Sequence, residues 1–353
     1  MYKKIIFLTL LLPLCGLAYG QDTLKIDGIA KQGFRGVQTI MDKSSNEVIG
    51  HYLYYKQGYK LAVDLISPEL ELQHHIDMDI SRRADIRDGI FNGETFMFLV
   101  SEPGRATAFT VDRNGQQIAR KELTYSYSED NPTAGVSLYP CAYEDCFFIV
   151  LPETRGYKKG YIVRKVDKEF KVLWENEMLN RDNHLSVEAA QSGAGRFVVI
   201  QKRQPAKLFN NDVYAELLCF DSFNGDTLFM SPLYDANEEF TALPSQIVID
   251  QEQNIIAAGE YFAGLYENQV SSQGVFIKKI SPAGDDLIYN KLDWKDGIQE
   301  QLRKTKVRIS LGKNKVFFHD LIATENGGYQ VIGETFSASK MGALIGEFEG
   351  EDN

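Results

Sequence analysis

Two glutamates offer the clearest chemistry. Gly259-Glu260-Tyr261-Phe262 and Gly333-Glu334-Thr335-Phe336 repeat one pattern, and Gly50-His51-Tyr52 stands in the corresponding place of an earlier unit. Two carboxylates held side by side, one protonated and one ionised, suit acid–base cleavage of a glycosidic bond. Glu260 and Glu334 are therefore the candidate acid–base pair, with His51 as a third catalytic candidate. The plainer reading is that a strand ends on an acid that reaches water.

A second group is His74-His75-Ile76-Asp77-Met78-Asp79. In a strand, His75, Asp77 and Asp79 share one face, and imidazole with carboxylates is a ligand set for zinc or iron. Polar alternation is equally expected of a solvated outermost strand, and that reading assigns no metal. Asp85-Ile86-Arg87-Asp88-Gly89 and Asp221–Asp226 read as acidic turns without the spacing of a calcium loop. Cys141 and Cys146 flank the turn-like Ala142-Tyr143-Glu144-Asp145, so a disulfide can close a hairpin there. Cys219, within Leu217-Leu218-Cys219-Phe220, reads as a small buried hydrophobe. The chain lacks G-x-S-x-G, H-E-x-x-H, Walker and C-x-x-C patterns. No established catalytic motif or cofactor is expected on those grounds.

The elements that must position these residues are short. Runs rich in Val, Ile, Phe and Tyr alternate with Gly, Asn, Asp and Pro clusters, and helical periodicity is nearly absent. One order recurs: strand, tight turn, strand, variable loop, strand, tight turn, strand. Its second strand is written as Glu47–Tyr54, Thr95–Ser101, Cys146–Leu151, Arg196–Gln201, Asn254–Phe262 and Gly328–Phe336. Its second tight turn begins at Ser67, Asp112, Asp167, Asp221 and Ser281, at intervals of 45, 55, 54 and 60 residues. Asp or Ser bonds the backbone that follows it, and a later Gly accepts positive φ. Four short antiparallel strands per period of roughly 50 residues are the signature of a β-propeller blade.

The expected fold is an all-β propeller of about six four-stranded blades. Their approximate bounds are 31–80, 81–130, 131–182, 183–236, 237–294 and 315–353. The last unit has only three strands, and residues 22–30 are expected to supply its fourth, closing the ring. An open ring, or two β-sandwiches, are the rival architectures.

In such a meander both tight turns lie at one end of the sheet and the variable loops at the other. Pro152–Gly160, Lys202–Ala215, Phe262–Gly274 and Asp293–Val316 read as the variable loops. The residues singled out for binding are Arg105, Tyr157, Lys158, Arg203, Phe209, Tyr261, Tyr266 and Trp294, aromatics beside cations that suit sugars, peptides or anions. Residues 1–20 read as a signal peptide: Lys3 and Lys4, the apolar Ile5–Leu12, then Ala18-Tyr19-Gly20 before Gln21. Lipid attachment at Cys15 is the alternative, set against the bulk of Leu14. No later segment has the length of a membrane helix. A formal charge of −11 argues against nucleic acid as partner.

The leader ending before Gln21, with units such as Glu325-Asn326-Gly327-Gly328-Tyr329-Gln330-Val331-Ile332-Gly333-Glu334, resembles secreted, uncharacterised propeller-like proteins of Bacteroidota. The resemblance implies export and a repeat scaffold, and brings no activity with it. The expected protein is a periplasmic or extracellular non-catalytic binder or scaffold for a protein, peptide or glycan. The alternative is a glycan hydrolase or lyase using Glu260 and Glu334.

Overall fold

A computed structural model describes residues 37–41, 48–126, 132–141, 144–206, 212–234, 240–250, 252–263, 273–293, 315–323, 329–337 and 340–348. Every regular element among them is a strand. The first sheet is β1 (Val37–Met41), β2 (Val48–Gln57), β3 (Lys60–Ile66) and β4 (Leu72–Asp79). The second is β5 (Asp85–Phe91), β6 (Thr95–Glu102), β7 (Arg105–Asp112) and β8 (Gln117–Glu122). The third is β9 (Ser137–Pro140), β10 (Cys146–Arg155), β11 (Lys158–Asp167) and β12 (Val172–Asn180). The fourth is β13 (Asn183–Gly193), β14 (Arg196–Pro205), β15 (Tyr214–Asp221) and β16 (Thr227–Pro232). The fifth is β17 (Phe240–Ile249), β18 (Ile255–Ala263), β19 (Gly274–Ile280) and β20 (Asp286–Asp293). The sixth has three strands, β21 (Lys315–Ala323), β22 (Tyr329–Ser337) and β23 (Lys340–Phe348).

All six are antiparallel meanders in chain order, the blade pattern of a β-propeller. The chain forms two compact units, one holding β1–β12 together with Phe223–Gly225, the other β13–β23. Residues 22–30, expected to complete the sixth sheet, lie outside the described residues.

The middle strands show why these segments fold as sheets that need neighbours. Along β6, every residue of Thr95-Phe96-Met97-Phe98-Leu99-Val100-Ser101-Glu102 is buried. Side chains alternate across a strand. Phe96, Phe98 and Val100 accordingly join Tyr52, Tyr54, Leu61 and Ile76 of the first sheet in one core. Met97 and Leu99 join Phe147, Ile149, Leu151 and Ile162 of the third in another. In the second unit, Val198 and Ile200 of β14 meet Ile255 and Ala257 of β18 in the same way. Truncating any such buried aromatic to alanine costs about 3–5 kcal/mol.

The recurring turn has one construction. Ser67, Asp112, Asp167 and Ser281 each accept, through a side-chain oxygen, the backbone N–H groups two and four residues on. For Asp167 the donors are Glu169 at 3.0 Å and Lys171 at 2.8 Å. The residue three positions on then takes positive φ: Gly115 at 84° and Gly284 at 97°, but Leu70 at 66° and Phe170 at 63°. A left-handed phenylalanine is strained by about 1–2 kcal/mol. Burial of its ring in the second-to-third-sheet core offsets that cost. The glycines serve a second purpose. A Cβ on Gly115 would stand 2.9 Å from Ile76 of β4, and one on Gly284 would stand 2.8 Å from Phe229 of β16. These two turns thus abut the outer strand of the preceding sheet. After every one of these turns the ladder slips by one residue, the bulge such a turn produces.

Cys141 and Cys146 form a disulfide between β9 and β10, beside a backbone bond from Cys141 N to Cys146 O. Cys219 is buried, and burial pushes its thiol up to about 11, which suits the inert packing residue read from sequence.

Asp167→Ala removes the acceptor of two backbone N–H groups. Urea denaturation should show a loss of about 1–2 kcal/mol, while Asp167→Asn, which keeps the oxygen, should stay close to wild type.

Candidate functional site

The ends opposite the recurring turns carry the exposed chemistry. In the first three sheets the second and third strands join through two-residue tips, and each tip puts a glycine at positive φ: Gly58 at 62°, Gly104 at 73° and Gly156 at 61°. Two tips have the same sequence, Gly58-Tyr59-Lys60 and Gly156-Tyr157-Lys158. The tyrosines project into solvent, Tyr59 58% and Tyr157 86% exposed. The second-sheet tip, Pro103-Gly104-Arg105, places a guanidinium at the position of the other tips' lysines.

Pro152–Gly160, expected to be a loop, is instead the end of β10, a two-residue tip and the start of β11. Its long ladder, pairing Thr154 with Lys159 and Arg155 with Lys158, holds Tyr157 on a rigid hairpin. Tyr59 was not among the expected binding residues. The signal that marks it is the repeated Gly-Tyr-Lys.

Beneath the tips lie closed ion-pair clusters. Glu102 is 3% exposed and accepts from Arg105 Nε at 2.9 Å, Arg120 at 3.0 Å and Thr107 Oγ1 at 2.9 Å. Desolvation pushes its carboxyl up, but the Thr107 hydroxyl and the two guanidiniums prevail, and its pKa is held below the ordinary value. Glu153 accepts from Ser126 Oγ at 2.7 Å, and Arg155 of the same strand pairs with Glu177 at 2.6 Å. In the second unit Arg203 donates to Glu216 at 2.9 Å, with its guanidinium 4.5 Å from the centre of the Tyr214 ring. Arg105 and Arg203, expected as binding-loop cations, are thus strand residues neutralising buried glutamates, with only part of each head group left for solvent.

The other expected residues are distributed as follows. Tyr261 is buried in β18 with the Lys291 ammonium 5.6 Å from its ring centre, so it belongs to the sheet and not to a loop. Phe209, Tyr266 and Trp294 lie outside the described residues. Glu260 and Glu334 occupy the same register: Glu260 faces Leu243 and Val275, Glu334 faces Phe317 and Ala343, and each neighbours a bulge in the first strand of its sheet. The Glu334 side chain lies outside the described residues.

His51 does not share that register. It pairs with Ile66, just before the Ser67 turn, whereas the residue so placed in the fifth sheet is Ile255. Lys56 is level with Glu260, and His51 sits at the other end of its strand. Gly50 accounts for the misleading likeness: a Cβ there would come within 2.8 Å of Ile66 O, a local need of that position.

His75 spends both ring nitrogens on acids, Nδ1 on Asp64 at 2.5 Å and Nε2 on Asp77 at 3.1 Å, while Lys60 donates to Asp77 at 2.7 Å. Asp79 pairs across the ladder with Lys60. Among the described residues no three His, Cys, Asp or Glu side chains are grouped to hold a metal ion.

A further titratable centre lies on β5. Asp85–Gly89, expected to be a turn, is the bulged start of that strand, with the slip between Ile86 and Asp88. Asp88 accepts the Gly89 N–H at 2.8 Å, and the Tyr52 hydroxyl donates to Gly89 O at 3.3 Å. Burial holds the Asp88 carboxyl above its ordinary pKa, against the pull of the Gly89 and Leu138 backbone amides. Burial also raises the hydroxyls of Tyr52 and Tyr139, and Asp88 adds to both shifts. A carboxyl that acts on two phenols and is tuned toward the neutral form can donate a proton or hydrogen-bond a polar ligand.

Because the folded state binds the Asp88 proton more tightly than the unfolded chain does, this group's contribution is greatest at low pH and is lost as pH rises through the raised value. Asp88→Asn should therefore raise the urea midpoint at pH 7 and leave it nearly unchanged at pH 4.

No curated protein matches the chain. Solved structures do, at low identity. The β-propeller domain of the Trilobed protease from Pyrococcus furiosus is 9% identical with a TM-score of 0.49, over 91% of this chain and 82% of that one. Drosophila Semaphorin 1a, extracellular domains 1-2, is 10% identical with a TM-score of 0.46, over 90% and 80%. The polysaccharide lyase Uly1 is 7% identical with a TM-score of 0.43, over 91% and 90%. A family model matches residues 1–346, and the chain accordingly belongs to the family of unknown function DUF6770.

Proposed function

We propose that this is an exported, non-catalytic binding scaffold whose recognition face is formed by the hairpin tips of the first three sheets. The observation that carries the reading is the repeated tip: the same Gly-Tyr-Lys, on the same left-handed glycine, with the phenol ring left in solvent in both copies. Tyrosine offers a large amphipathic contact at small entropic cost, and a rigid two-residue hairpin has little freedom left to lose on binding. Lys60 and Lys158 follow the two tyrosines directly, and Arg105 holds the same register in the second sheet, which suits a protein, peptide or glycan partner. The clusters around Glu102 and Glu153 are closed on themselves, which supports a holding role for them over a reactive one. The charged and apolar pattern of residues 1–20 supports export to the periplasm or cell surface.

Labelled protein screened on glycan, peptide and exported-protein arrays should retain partners that Tyr59→Ala and Tyr157→Ala each weaken by about tenfold or more, with the melting temperature unchanged. Partners bound equally well by the double variant would move recognition away from the tips.

The shared register of Glu260 and Glu334 supports a second reading, hydrolysis or elimination on a glycan with this pair as acid and base. On that reading, glycan panels incubated with the wild type release reducing ends or unsaturated products, and Glu260→Gln or Glu334→Gln lowers the rate at least a hundredfold. An inactive wild type removes it.

A further inference from the structure

The Tyr59 tip rests on a chain of charged groups with an unusual requirement. Tyr59 O accepts the Ile80 N–H at 2.7 Å, so the end of β4 is fastened to the tip itself. Lys60, next along, donates to Asp77 of β4 at 2.7 Å. Asp77 in turn faces His75 Nε2 at 3.1 Å, and His75 Nδ1 faces buried Asp64 of β3 at 2.5 Å. Behind Asp64 stands Tyr55 of β2, whose hydroxyl is pushed up to about 12 by burial and by that carboxylate. Asp79, the cross-ladder partner of Lys60 at the tip end of β4, also favours its charged form. The neighbouring His74 turns away, toward Asn114 O at 3.3 Å.

Both ring nitrogens of His75 therefore point at carboxylate oxygens, which only accept. A neutral imidazole carries one N–H and would turn a lone pair toward one of the two acids. The imidazolium alone donates to both.

We propose that His75 is a pH-sensitive latch for the Tyr59 tip: its imidazolium joins Asp64 to Asp77, Asp77 holds Lys60, and deprotonation opens this chain and loosens the hairpin. As regulation of the recognition face, the proposal rests on the proposed function, but the latch itself is a property of the ligand-free chain. The acids keep His75 protonated above its ordinary range, the Asp64 hydrogen bond contributing most. Its stabilising effect is complete below the unfolded-state value, about 6.5, and is lost as pH rises through the higher folded value. Asp77 is held low, first by Lys60 and then by His75, so its contribution disappears only on acidification. The latch is closed between these limits and opens on the alkaline side.

The test uses the full ligand-free chain. His75 is followed by NMR from pH 5 to 9, and hydrogen exchange at the Ile80 amide is measured over the same range with correction for intrinsic exchange. The expected result is a His75 pKa above the ordinary value and a fall in Ile80 protection of on the order of tenfold as that group titrates. His75→Gln should abolish the step, and Asp77→Asn should abolish it while lowering the His75 pKa. A His75 pKa at or below about 6.5 overturns the proposal. So does Ile80 protection that stays flat in the wild type, or steps equally in either variant that folds. Because no partner is present, these outcomes are independent of the Tyr59→Ala and Tyr157→Ala binding results.

Discussion

A thin antiparallel sheet with two apolar faces cannot stand in water by itself. β6 states the condition most plainly: alternate residues of one strand belong to two different cores. No single meander closes both faces, so each obliges the chain to supply another beside it. The near-continuous apolar runs of the middle strands, the polar outer strands such as β8, and the repeated unit length all follow from that condition.

The acids inside this scaffold are handled in contrasting ways. Glu102 is surrounded by donors and held ionised, so it organises Arg105, Arg120 and Thr107 without being available to chemistry. Asp88 has only backbone amides and neighbouring phenols, and its environment favours the proton. The difference lies in what each strand presents next to the carboxyl, since both acids are largely removed from water. The carboxylates of Asp64 and Asp77 are a third case, bridged by a histidine that must be charged to serve both.

Much of the architecture was legible in the residues. The second strands fall close to where the apolar runs placed them, because a strand buried on both faces writes itself as an uninterrupted Val, Ile, Phe sequence. The turns at Ser67, Asp112, Asp167 and Ser281 were legible because a side-chain oxygen and a left-handed residue are local requirements. Register was not. His51 looked equivalent to Glu260 through a shared Gly-x-Tyr, and only the ladder, pairing His51 with Ile66, shows it to be displaced along its strand. Loop and hairpin were also confused at Pro152–Gly160, where a proline, a glycine and charged residues suggested an irregular segment. Their backbones nevertheless pair to the tip, with Pro152 facing Tyr161. Arg105, Arg203 and Tyr261 were legible as types but not as situations, because burial beside Glu102, Glu216 or Lys291 is set by chain segments distant in sequence. Asp88 was hidden for the same reason: nothing next to it announces Tyr52 or Tyr139.

The turn glycines that abut the preceding sheet divide labour along each blade. At that end, the interval from one sheet to the next is set by main chain against side chain, with no room for even a methyl group at Gly115 or Gly284. At the opposite end no comparable contact constrains the hairpins: a Cβ on Gly58, Gly104 or Gly156 would meet nothing within 4 Å. Mutation can therefore change the side chains that those tips leave in solvent, Tyr59 and Tyr157 among them, while the spacing of the scaffold stays as it was. Such a molecule can vary one rim while the other keeps its form.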